Sequence, residues 1–180
     1  MAAPASGHFD VIVVGAGIMG SCAAHAAAAR GARVLLLERF DLLHHRGSSH
    51  GESRAIRATY PQQYYVPMVR LARRLWEDAQ REAGYDVLTP TPHLDLGPRG
   101  DPAFVAAVAN GGATELPAGE GPKWAEAFRL PEGWTAARSE QAGVIKATKA
   151  VAMFQALAVK MGAVLRDRAE VVEIARKQGE

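Results

Sequence analysis

Three glycines and one acid carry the first chemistry legible in this chain. In FDVIVVGAGIMGSCAAHAAAARGARVLLLERF, Gly15, Gly17 and Gly20 make up GxGxxG, and Glu38 follows 23 residues after Gly15. Glycines so spaced suit a diphosphate: Gly15 permits a tight turn, Gly17 lets a pyrophosphate approach the backbone, and Gly20 lets a helix pack against a strand. A carboxylate at Glu38 suits the paired hydroxyls of a ribose, and its charge disfavours a 2′-phosphate. The pattern predicts a dinucleotide site that does not take NADP. It does not separate FAD from NAD.

These residues need a strand, a helix and a second strand to hold them. Apolar runs predict strands over Asp10–Gly15 and Ala32–Glu38, with a small-residue helix over Ile18–Arg30 between them. The unpaired N–H groups and positive dipole end of such a helix bind an anion without a dedicated basic side chain.

After this unit comes RFDLLHHRGSSHGESRAIRATY, residues 39–60, dense in histidine, serine and arginine and without apolar periodicity. Polar density directly after a nucleotide-binding unit is a place for substrate chemistry. Further on, the spacing of Val66, Val69, Leu71, Leu75 and Trp76 predicts an amphipathic helix over Gln62–Ala83, interrupted early by Pro67. Tyr85–Gly97 reads as short antiparallel strands around a Pro-rich turn, and Asp101–Val108 as a helix. Residues 110–140 read as loops and short elements, and Ala147–Met161 returns to helical period. GAVLRDRAEVVEIAR then predicts two short strands that rejoin the first sheet, with Val164, Leu165, Val171, Val172 and Ile174 facing apolar neighbours.

Composition narrows the class. The chain has 180 residues, 48% of them hydrophobic, and a net charge of +2 spread without a basic block, so a folded domain without a nucleic-acid partner is expected. His44, His45 and His50 lie close together but lack the cysteines or carboxylates at fixed offsets that a zinc site uses, so no metal is expected. Cys22 is the single cysteine. It falls on the first helix as a packing residue, which excludes a disulfide framework and suits an intracellular, reducing compartment. Neither a secretory leader nor an apolar run near the ~20 residues of a membrane span is legible.

With VIVVGAGIMG, LLLERF, HHRGSSHGESRAIRATY and GAVLRDRAEVVEI together, the chain resembles the monomeric sarcosine oxidase family, in particular its plant-type sarcosine and pipecolate oxidases. The resemblance covers the whole chain and implies an α/β, Rossmann-like FAD-binding domain of the D-amino-acid oxidase type with part of a mixed or antiparallel substrate domain. It implies that this chain is the N-terminal half: residues 1–85 and 144–180 in the FAD-binding domain and 86–143 in the partial substrate domain. FAD is chosen over NAD by the same likeness. The implied activity is oxidation of the C–N bond of a secondary amino acid to an imine, with O2 reduced to H2O2, in a monomer with a peroxisomal setting. A binding fragment without turnover, and a flavin dehydrogenase of the same fold, are the competing expectations.

The family's His-Gly-acid-Ser/Thr-Arg-x-x-Arg run matches here residue by residue. It places His50 and Arg54 at catalytic positions beside the flavin ring and Arg57 where a substrate carboxylate is held. Ser48, Ser49, Ser53 and Arg54 fall at flavin-contacting positions. Arg39 joins the glycines and Glu38 among the cofactor-binding residues, and Val171 falls where a strand meets the adenine side, a position that sheet core would equally explain. A guanidinium at Arg54 suits the negative charge of a reduced flavin, and Arg57 suits bidentate grip of a carboxylate. His50 suits tuning of the amine's protonation. As an alternative, Arg57 pairs with Glu52 at the surface.

Overall fold

The computed structural model describes residues 7–117 and 130–176. They fall into two compact units, the first made of residues up to Glu52, Ala79–Val87 and the stretch from Lys146, the second of Ser53–Asp78 and Leu88–Ile145. Residues 53–78 thus group with the second unit, whereas the sequence places them in the cofactor domain.

In the first unit, β1 (Val11–Val14) runs into α1 (Ile18–Ala28) and then β2 (Val34–Leu37), with all four residues of each strand in parallel register. Helix α4 (Ala147–Lys160) precedes β9 (Val164–Arg166), which pairs parallel on the other side of β2. β2 reads VLLL because it is the middle strand, and Leu36 is fully buried. Side-chain size sets the packing of α1: Ala16, Ala24, Ala28, Val34, Leu36, Ala158 and Ala163 form one core cluster. Alanines at these positions let α1 pack closely on sheet and helix. Cys22 is half-buried on α1, and burial pushes its thiol up to about 12, which keeps it a poor nucleophile.

The expected second strand near the end does not form. Hydrogen bonds from Arg168 N–H to the Phe40 carbonyl and from Ala169 N–H to the Glu38 carbonyl hold the chain beside β2. Beyond them, residues 171–176 make no ladder, and Val172 and Ile174 are 88% and 85% exposed. Apolar alternation predicts a strand only where a ladder partner is available, and among the described residues none pairs with this segment.

Among its described residues the second unit holds two three-stranded antiparallel sheets. In one, β8 (Gly143–Ile145) lies between β3 (Arg54–Ile56) and β4 (Leu88–Pro90); in the other, β7 (Trp134–Ser139) lies between β5 (His93–Pro98) and β6 (Thr114–Glu115). The strands predicted over Tyr85–Gly97 do form, but as β4 and β5 in different sheets, each paired with a strand distant in sequence. β7 emerges from the stretch read as loops and short elements, where WTAARS offers small alanines at buried positions instead of a marked apolar alternation. Part of that stretch, residues 118–129, lies outside the described residues.

Helix α2 (Tyr65–Ala83) is continuous through Pro67. Proline sits there in the first turn, where the missing N–H has no intrahelical partner to lose, so the predicted interruption becomes a start. Helix α3 (Pro102–Gly111) begins where the Asp101 carboxylate accepts the Phe104 N–H at 2.8 Å and ends on Gly112, at φ 63°.

Candidate functional site

The turn between β1 and α1 is a locked backbone loop. Gly15 has φ +99°, a conformation that side chains rarely adopt. A Cβ on Gly20 would stand 1.8 Å from the Gly15 carbonyl oxygen, so only glycine lets the helix sit this close to the turn. One on Gly17 would meet the Ser49 hydroxyl at 3.2 Å. Between these glycines, Ala16 is held at both ends of its backbone: its N–H donates to Glu38 Oε2 at 2.8 Å, and its carbonyl accepts from Ser21 Oγ at 3.0 Å and from Gln155 Nε2 at 2.9 Å.

Glu38, 7% exposed, closes β2. Its other oxygen, Oε1, accepts the Phe40 N–H at 3.1 Å and faces His44 Nε2, also at 3.1 Å. Burial alone would raise the Glu38 pKa, but the N–H groups of Ala16 and Phe40 and the His44 ring outweigh it and hold the carboxyl below its ordinary value. Glu38 therefore presents an anion to whatever enters the site.

The polar segment after β2 closes over these groups. The Ile18 N–H, at the start of α1, donates to Ser49 Oγ at 3.1 Å. Two and three residues on, Gly51 and Glu52 offer their carbonyls to the first N–H groups of α4, those of Thr148 and Ala147, each at 3.3 Å. One short run of chain thus spans two helix N-termini. Under it lies a cavity of about 320 Å³ whose lining includes Ala16, Gly17, Glu38, His44, Ser49 and Gln155. Helix-end dipoles, glycine at the point of closest approach and a buried accepting carboxylate are the groups that a dinucleotide requires, and the residues present fit one.

The residues expected from sequence distribute unevenly. Gly17, Glu38, Ser48 and Ser49 line this cavity. Arg39 reaches Glu170 instead, at 3.0 Å, and lies over the Phe40 ring. His50 stacks edge-on with His45, ring centroids 5.5 Å apart. Val171 is half-buried and outside any strand. In the second unit Ser53 and Arg54 are exposed, and Arg54 opens β3. Arg57 pairs with Asp95 rather than Glu52: its Nη1 lies 3.9 Å from Asp95 Oδ1, donates to the Thr59 carbonyl, and its guanidinium stacks 4.4 Å from the Tyr60 ring centre. Asp95 Oδ1 is in turn 3.1 Å from His93 Nε2. Sequence reasoning missed Gln155 and His44 as cavity residues. A signal for Gln155 existed, a lone polar side chain on the buried face of an apolar helix.

A parallel sheet with glycine turn, acid-ended second strand and helix-end cavity defines a dinucleotide-binding fold. Comparison with known proteins makes this specific: the FAD dependent oxidoreductase family model matches residues 10–180, and the chain belongs to that family. It is 50% identical over 176 residues to a "probable sarcosine oxidase" of Arabidopsis thaliana, covering 94% of this chain and 42% of that protein. It is 36% identical over 171 residues to the peroxisomal sarcosine oxidase of Homo sapiens, covering 92% and 44%. Among solved structures, L-proline dehydrogenase from P. horikoshii shares the fold, with TM-score 0.76, 22% identity and coverage of 93% and 46%. The chain spans less than half the length of these curated relatives. Through the family the cofactor is FAD, so the choice between FAD and NAD that the glycines left open is resolved.

Proposed function

We propose that the protein oxidises the C–N bond of a secondary amino acid such as sarcosine or pipecolate, yielding the imine, while O2 takes up two electrons and two protons to become H2O2. The observation that carries this reading is the 50% identity to the Arabidopsis protein named as a sarcosine oxidase. FAD, when bound, supplies the two-electron acceptor. The chain's own residues supply the rest. Glu38 accepts a hydrogen bond from a ribose hydroxyl, the N-terminus of α1 with Gly15, Gly17 and Gly20 receives the diphosphate, and Ser48 and Ser49 contact the cofactor. Arg39 and Val171 complete the adenosine side, and Ser53 joins the flavin contacts.

In the same reading Arg54 balances negative charge that develops on the flavin, and His50 holds the amine in the unprotonated form whose lone pair is needed for oxidation. Arg57 binds the substrate carboxylate by two parallel hydrogen bonds, exchanging its present partners Thr59 and Asp95 for it. The first unit is the FAD-binding domain and the second belongs to the substrate domain. The reading extends to a monomer with a peroxisomal location, supported by the names of two relatives, a monomeric sarcosine oxidase of Bacillus sp. and the human protein named for that compartment.

The test is the visible spectrum of the purified chain after addition of FAD and removal of free cofactor, followed by anaerobic sarcosine or pipecolate. Retained flavin that bleaches with one of them, and releases peroxide on admission of air, supports the reading and names the substrate. Bleaching without peroxide on re-aeration replaces the oxidase with a dehydrogenase. Retained flavin that stays oxidised limits the chain to cofactor binding, and loss of all flavin removes even that.

A further inference from the structure

His44 lies between the cofactor-facing acid and the loop that closes over it. Its Nε2 faces Glu38 Oε1 at 3.1 Å, and its Nδ1 accepts the backbone N–H of Arg46 at 2.9 Å. A carboxylate only accepts and a backbone N–H only donates, so one proton arrangement satisfies both contacts: hydrogen on Nε2 and none on Nδ1. The ring is also held edge-on by Phe40, with centroids 4.9 Å apart at 71°. His44 lines the cavity together with Arg46, Gly47, Ser48 and Ser49.

From this geometry we infer that His44 is a positioning residue for FAD. It aims the remaining acceptor of the Glu38 carboxylate at a ribose hydroxyl and, through Arg46, sets the loop that brings Ser49 onto the start of α1. The inference rests on the reading of Glu38 as the ribose ligand. A carboxylate has roughly four lone-pair directions. Ala16 N–H, Phe40 N–H and His44 occupy three of them, which leaves one directed acceptor for an incoming hydroxyl. Without His44 the carboxylate keeps one backbone bond on each oxygen but gains play about its broad terminal torsion, and the direction of that acceptor loosens although its charge remains.

Calorimetric titration of the full chain with ADP and with 2′-deoxy-ADP isolates the ribose contact from everything else in the site. The unsubstituted chain is expected to prefer ADP by about tenfold, the value of one charge-assisted hydrogen bond to a buried carboxylate. In His44→Ala the preference is expected to fall to about twofold or less. His44→Gln, whose side-chain amide nitrogen replaces the Nε2 donor, restores most of it; His44→Asn, which keeps only the acceptor toward Arg46, does not. A purely structural role weakens both nucleotides alike, so an unchanged preference in His44→Ala overturns the proposal. Should that variant not fold, equal preferences in the Gln and Asn variants overturn it instead. Glu38→Gln separates the two levels of the argument. Loss of preference in Glu38→Gln but not in His44→Ala removes the positioning role alone. Absence of ADP binding, or of any preference in the unsubstituted chain, removes the ribose reading and the proposal with it.

Discussion

The glycine turn of the first unit and the Asp95 cluster of the second hold their polar groups in opposite ways. In the first, the groups around the glycine turn have directed partners: Ala16 N–H with Glu38 Oε2, Ile18 N–H with Ser49, and the Ala16 carbonyl with Ser21 and Gln155. In the second, partners are shared and incomplete: Arg57 and His93 both turn to Asp95 Oδ1, while the buried Asp95 Oδ2 has no hydrogen-bond partner among the described residues. Buried polar groups satisfied pair by pair resist rearrangement, whereas a shared carboxylate exchanges one partner for another at low cost. The comparison distinguishes a preformed cofactor cradle from a cluster suited to yielding its arginine to a ligand.

Gly20→Ala is the most severe challenge to the first region. Its methyl meets the Gly15 carbonyl oxygen at 1.8 Å, and backbone cannot step aside as a side chain can, so a loss of ~3 kcal/mol or more is expected in urea unfolding. A loss below ~1 kcal/mol would show that the turn is not locked. Gln155→Ala, which removes a buried amide from the Ala16 carbonyl, is expected to cost about 2 kcal/mol by the same assay and to weaken ADP binding, since the loop that receives the diphosphate loses a tether.

In the second region, Asp95→Asn sharpens the contrast. It keeps the shape, removes the charge beside a partly exposed arginine, and is expected to change stability by ~1 kcal/mol or less. A loss matching that of Gln155→Ala would erase the distinction between the two regions.

Acid sensitivity provides a finer test. Glu38 has its folded pKa held below the ordinary 4.5, so its ionised form contributes stability above that value, and the contribution is lost as pH falls from there through the lower folded pKa. Stability measured against pH should decline more steeply below 4.5 in the unsubstituted chain than in Glu38→Gln. Parallel curves in that window would show that the hydrogen bonds of Ala16, Phe40 and His44 do not favour the carboxylate. Exposed Asp10, lowered from 3.8 to about 2 mainly by hydrogen bonding from Arg33, adds a weaker decline as pH falls from 3.8 through about 2, which Asp10→Asn removes.

The legibility of these regions differs for a physical reason. β1, α1 and β2 are local: apolar runs, alanines and glycines write their own conformations, and the residues that must touch lie within one βαβ length. Gln155 reaches Ala16 across 139 residues, and nothing near either position announces the contact. His44 was visible only as one histidine among three, because its role depends on an acid six residues earlier and a backbone N–H two residues later meeting on opposite edges of one ring. In the second unit β4 and β5 were legible as strands but not in their pairing, which is made with β8 and β7 far along the chain. Segment 171–176 shows the converse error, a strand-like pattern without a ladder.

Cys22 gives the chain a practical property. As the single cysteine of the sequence, half-buried on α1 with its thiol pushed up to about 12, it stays protonated at neutral pH and reacts slowly with maleimides and other alkylating reagents. A cysteine introduced at an exposed site elsewhere would be the fast-reacting thiol in an otherwise native background, ready to carry a fluorophore or spin label that reports on cofactor entry.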